Sequence, residues 1–148
     1  MFGGNSNWRG PVWMPINYLI IQSVRSYGEF YQDNLKIECP KGSGIKMNLC
    51  EVADELTRRV ISLFEKDEFG SRRIFGDYNW FYKQGANKDL VLFYEYFHGD
   101  NGRGLGACHQ TGWTGLVAEL ISEYGSRDIK NKKENAILVT GKIKNDEA

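Results

Sequence analysis

Asn48 and Glu51 stand at the head of a run, NLCEVADELTRRVISLFEKD, whose apolar residues recur with helical period. The pair predicts a capping box, in which each residue satisfies the other's orphan backbone donor. Leu49, Val52, Ala53, Leu56, Val60 and Leu63 predict one buried stripe along a helix over 48–67. Glu51, Asp54, Glu55, Arg58 and Arg59 take the other side and read as a solvated charged face. A stripe of that length must be covered by other elements, so the chain is expected to be built from packed helices.

Two further segments agree. In PINYLIIQSVRSYGEFY, Ile16, Leu19, Ile20 and Val24 form a second helical stripe, and Pro15 suits a first turn because its missing N–H is not needed there. GWTGLVAELISEY predicts a third helix, stopped by Gly125. Between the second and third helices, DLVLFYEYF (residues 89–97) is rich in strand-forming residues. The connections are long and carry Gly, Asn and aromatics, a pattern usually tied to function. Beyond Gly125 the sequence turns polar. Residues 126–148 are expected to form a weakly ordered tail, with a short strand at Ala136–Val139.

With 148 residues, 41% hydrophobic and 26% charged, the composition is that of a globular chain. Aromatics reach 14%, many of them outside the helical stripes. The formal net charge is zero, which gives no electrostatic case for a nucleic-acid partner. The sequence shows no bilayer-length apolar run and no signal pattern, so no membrane partner and a cytoplasmic setting are expected. Cys39, Cys50 and Cys108 fit no zinc or redox spacing and read as reduced, incidental thiols. His98 and His109 lack further ligands at typical spacing, so neither a metal nor another cofactor is expected.

Chemistry is sought where a polar group is set among apolar neighbours. Glu95 is flanked by Phe93, Tyr94, Tyr96 and Phe97. On a regular strand it would share a face with Phe93 and Phe97. Partial desolvation favours the neutral form of a carboxyl, the tuning a general base needs. The alternative is an edge strand whose glutamate points at water. A competing motif, Gly102-x-Gly104-x-x-Ala107, matches a dinucleotide fingerprint. Against it stand a glutamate in mid-strand and a helix starting too late for its N-terminus to meet a pyrophosphate. No further sheet follows to complete the unit either.

FGGNSNWRGPVWMPINYLI, FYEYFHGDNGRGLGACHQTGWTGLV and the helix between them together resemble the C-terminal part of the catalytic domain of glycoside hydrolase family 63. That group includes processing α-glucosidases of N-glycans, bacterial α-glucosidases and mannosylglycerate hydrolases. The resemblance covers roughly residues 2–124. It implies an all-α fold, the C-terminal portion of an (α/α)6 toroid with a short β segment near the active site, over residues 1–125. Trp8 and Trp13 would wall a sugar subsite. Arg9 would bind a hydroxyl or anchor a loop, and Gly10-Pro11 would turn both rings toward the pocket.

By the same resemblance, Glu95 would be the general base of an inverting α-glycosidase acting on oligosaccharides or small glycosides. Tyr94 and Tyr96 would orient it, and Gln110 and Trp113 would line the same pocket. The glycines at 102, 104 and 106 would let the backbone pass close to the sugar. The family's general acid is an aspartate upstream of the WRGP[IV]W motif. Asp33, Asp54, Asp67, Asp77, Asp89 and Asp100 do not match it. The expectation is therefore a fragment, inactive alone, whose partner is the missing N-terminal half of the barrel. The alternative from another class is a non-catalytic carbohydrate-binding or structural remnant.

Overall fold

The computed structural model describes residues 10–127 and 129. About half of these are helical, with two small antiparallel sheets. In chain order the elements are α1 (Met14–Tyr31), β1 (Lys36–Glu38), β2 (Lys46–Asn48) and α2 (Leu49–Ile61). They are followed by β3 (Tyr96–Phe97), β4 (Gly104–Leu105) and α3 (Thr111–Thr114), with 3-10 turns at Arg73–Tyr78, Phe81–Lys83 and Gly85–Asn87. After Gly115 the chain is helical again over 116–127. Ser126 and Arg127, expected to open a weakly ordered tail, continue this helix; the rest of that tail beyond residue 129, with its strand at Ala136–Val139, lies outside the described residues.

The expected capping box is present. The Glu51 amide donates to Asn48 Oδ1 at 2.9 Å, and the Asn48 amide donates to Glu51 Oε2 at 2.8 Å. The helix ends at Ile61 rather than Asp67. Val60, Ile61, Leu63 and Phe64 are all buried, a spread wider than one helical face can reach. The chain turns at Ser62 so that all four enter the core, and Asp67 then caps the next turn by accepting from the Phe69 and Ser71 amides.

Helix α1 corrects the sequence expectation in a different way. Ile16, Leu19 and Ile20 are 46%, 61% and 47% exposed, whereas Met14, Ile21, Arg25 and Gly28 are buried. The helical period holds, and of that stripe Val24 packs against the core while the other three residues are exposed. The helix carries apolar residues on two sides, and α2 meets the side where Gly28 allows close approach. A Cβ at Gly28 would come within 2.6 Å of the Cys50 amide and sulfur.

Asp54 also departs from the solvated face assigned to it. It accepts from Arg25 at 2.8 Å and Arg127 at 3.2 Å, tying α1, α2 and the last helical stretch together. That stretch passes through Gly125, which keeps a negative φ and does not cap it. The β1–β2 hairpin, in register Ile37↔Met47, had no signal in the periodicity. These elements close around Met14, Ile21, Ala53, Phe64, Ile74, Phe97, Val117 and Leu120. Burying each of the larger of these side chains favours the fold by roughly 1.5–3 kcal/mol.

Candidate active site

The segment expected as one strand over 89–97 is regular only at Tyr96–Phe97, paired antiparallel to β4 through Tyr96↔Leu105 and Phe97↔Gly104. The chain bends at Glu95. Opposite it Gly106 sits at φ +73° and breaks the ladder, so the Glu95 amide donates to the Ala107 carbonyl at 2.8 Å. The dinucleotide fingerprint therefore spans an antiparallel hairpin with no βαβ crossover, and that reading falls.

The bend separates the side chains. Phe93 and Phe97 turn to Phe64, at ring distances of 6.4 and 5.6 Å, and Phe97 is fully buried. Glu95 remains half-buried, with Oε2 accepting from the Ala107 amide at 3.3 Å. Its carbonyl accepts from Trp113 Nε1 at 3.1 Å. Both backbone polar groups and one carboxylate oxygen are thus fixed by neighbours, which limits how far the carboxylate can wander.

Gly10, at φ +84°, and Pro11 lead the chain into the site. Val12 then pairs with Phe97 through hydrogen bonds of 2.8 and 2.9 Å, which sets Trp13 beside Tyr96. The two rings stack at 4.7 Å, and Trp113 meets Trp13 edge-on at 6.4 Å. Of the residues expected to form the site, Trp13, Glu95, Tyr96 and Trp113 are therefore gathered. Gln110 is exposed at the start of α3, where its carbonyl accepts from the Trp113 and Thr114 amides. Trp8 and Arg9 lie outside the described residues.

Tyr94 projects elsewhere. Its ring covers Gly104, where any Cβ would overlap it. Burial, with the Tyr82 phenol beside it, pushes the Tyr94 phenol up to about 12, so it remains a neutral hydrogen-bonding group. Thr114 Oγ1 donates to the Tyr94 carbonyl. Sequence reasoning overlooked Thr114 and the Ala107 amide, since both act through the backbone of distant residues. It also passed over YNWFY at 78–82, although an aromatic run inside a loop was a legible signal.

Among the described residues, no group of three or more His, Cys, Asp or Glu is placed to hold a metal, and no helix is long and apolar enough to cross a membrane. His98 turns to Asp100, with Nδ1 3.8 Å from Oδ2.

A carboxylate held by backbone anchors beside stacked rings, on a largely helical frame, is joined by a direct match. Residues 3–79 correspond to the Glycosyl hydrolase family 63 C-terminal domain. The chain belongs to this family. It is 53% identical over 127 residues to an uncharacterized protein of Saccharomyces cerevisiae, covering 84% of this chain and 12% of that one. The mannosyl-oligosaccharide glucosidase of the same yeast is 27% identical over 124 residues, 83% of this chain and 12% of the relative. A probable mannosyl-oligosaccharide glucosidase of Schizosaccharomyces pombe is 29% identical over 122 residues, 81% and 11% respectively. The chain thus spans about 12% of the length of these relatives. No solved structure matches it.

Proposed function

We propose that this chain carries the water-activating carboxylate of an inverting α-glycosidase, α-glucosidase-like, acting on oligosaccharides, and that its helices form part of an (α/α)6 toroid. The observation that carries the reading is the fixation of Glu95. Its amide is bound to Ala107, its carbonyl to the Trp113 indole and its Oε2 to the Ala107 amide. A general base must be held within hydrogen-bond reach of the water it deprotonates, and such anchoring meets that need. The Trp13–Tyr96 stack beside it offers the apolar surface on which the C–H face of a sugar ring packs.

Inversion needs a second carboxyl about 6.5–9.5 Å from the base, on the other side of the scissile bond, to protonate the leaving oxygen. None of the aspartates here matches the family's acid, so in this reading that group comes from outside these 148 residues. The chain by itself is then a saccharide-binding but hydrolytically silent piece. The non-catalytic remnant differs from it in one outcome only.

The test follows glucose release from α-linked disaccharides by the chain alone and together with a polypeptide supplying the rest of the family domain. Activity is expected only in the combination. Glu95→Gln, which keeps the shape and loses proton acceptance, should lower its rate by ~10²–10⁴-fold. Turnover unchanged by Glu95→Gln removes the residue from the mechanism. A combination that binds saccharide and never turns over favours the remnant.

A further inference from the structure

A second aromatic assembly stands beside the first. Tyr78, Trp80, Phe81, Tyr82 and Tyr94 line a cavity of about 410 Å³. That is within the roughly 300–1,000 Å³ of small-molecule sites. Four of the five rings come from the segment just after Ile74 and Phe75, which are buried in the core, and Tyr82 packs against that core through Phe75. Tyr78 and Trp80 are each 60% exposed and Phe81 42%, so core packing does not account for them. Trp80, Phe81 and Tyr82 lie beyond the family match, which ends at residue 79.

The loop that bears these rings is built rather than slack. Asn79 Oδ1 accepts from the Arg72 amide at 2.9 Å, and its Nδ2 donates to the Arg72 and Gly76 carbonyls at 3.1 and 2.8 Å. Phe75 and Tyr82 stack at 3.9 Å, while Trp80–Phe81 and Phe81–Tyr82 meet edge-on at 5.8 and 5.2 Å. Rings locked in this way present fixed faces at little cost in side-chain entropy.

The wall chemistry selects the ligand. It holds five aromatic residues and no charged one, so an anionic ligand finds no counter-charge; ring faces do attract cations, and choline is the control for that case. The Tyr78 phenol and the hydrogen-bonded Tyr82–Tyr94 pair supply neutral donors and acceptors, and ring faces lie between them. A pyranose complements that surface, with an apolar C–H face and a hydroxyl edge. Tyr94 also ties the cavity to the carboxylate, since it directly precedes Glu95 and its carbonyl is held by Thr114.

We propose that this cavity is an accessory subsite that holds a pyranose unit of a neutral oligosaccharide away from the bond being cut, with Trp80 as its principal platform. The proposal rests on the saccharide reading of Glu95 and extends it to residues that the reading does not use.

The full 148-residue chain is titrated with glucose, maltose and maltotetraose by calorimetry and by tryptophan fluorescence, as wild type, Trp80→Ala and Trp80→Phe, with choline as the cationic control. Maltotetraose should bind more tightly than glucose. Trp80→Ala should weaken it about tenfold, or roughly 1.4 kcal/mol for one lost ring face. Trp80→Phe should retain most of the affinity, because it keeps an aromatic face. The circular dichroism of both Trp80 variants should be unchanged. Affinity that survives Trp80→Ala, choline competition for the cavity, or no saccharide binding at all would each overturn the subsite. Turnover of the chain combined with the rest of the family domain that survives Glu95→Gln overturns the catalytic reading instead, so the two failures are told apart.

Discussion

Helix α2 brings most of its stabilising chemistry within its own sequence, whereas the β3–β4 hairpin borrows nearly all of its own. In α2 the cap spans Asn48 to Glu51, and Glu55 is held by Arg58 and Arg59 at 3.0 and 2.8 Å, one turn away. In the hairpin each strand has two residues. Its anchors are Val12, Phe64, Trp113 and Thr114, all remote in sequence. Local contacts lose little chain entropy when they form, while remote ones must close long loops first. The segment that carries Glu95 is therefore the one that depends on the rest of the molecule being in place.

The largest expected effect tests that dependence. Phe97→Ala empties a fully buried position that packs edge-on against Phe64, and should cost about 3–5 kcal/mol in denaturant unfolding. A loss below 1 kcal/mol would mean that the hairpin does not share the helical core. Next, Asp54→Ala leaves Arg25, whose side chain is 11% exposed, without its carboxylate, and should cost roughly 1.5–3 kcal/mol. This helical defect should leave the tryptophan environment of the hairpin in the folded state unchanged by fluorescence. A large change there would erase the distinction between the two regions.

Asn48→Ala removes a cap and should cost roughly 0.5–2 kcal/mol, read as a lower unfolding midpoint. Trp113→Phe keeps a ring while deleting the donor to the Glu95 carbonyl. It should cost about 0.5–1.5 kcal/mol, and chemical shifts should move at Glu95 rather than in α2. Shifts spread over both would blur the contrast.

The smallest effect is electrostatic and lies on α2. Hydrogen bonds from Arg58 and then Arg59 hold the Glu55 carboxyl below its ordinary value of 4.5. A lowered folded value stabilises above the ordinary one and is lost as pH falls through it. Glu55→Gln should therefore cost ~0.3–0.5 kcal/mol at neutral pH. The gap from wild type should close as pH falls below the ordinary glutamate range, in matched urea titrations. A gap independent of pH would assign the loss to packing.

Sequence by itself determined what is decided within a few residues. The α2 cap, its Val52–Ala53–Val60 stripe and the helical period of α1 follow from neighbours three and four apart, which the chain brings together unaided. The nearness of aromatics to Glu95 was also legible, because it is written consecutively. Tertiary structure alone decided which side of α1 is covered, since apolar residues on two faces satisfy the same period and only Gly28 admits α2 closely. It decided that Asp54 faces inward to two arginines, and that Tyr94 parts from Tyr96 across the bend opposite Gly106. Each of those outcomes turns on a partner tens of residues away, and no local preference selects among such partners before the core has closed.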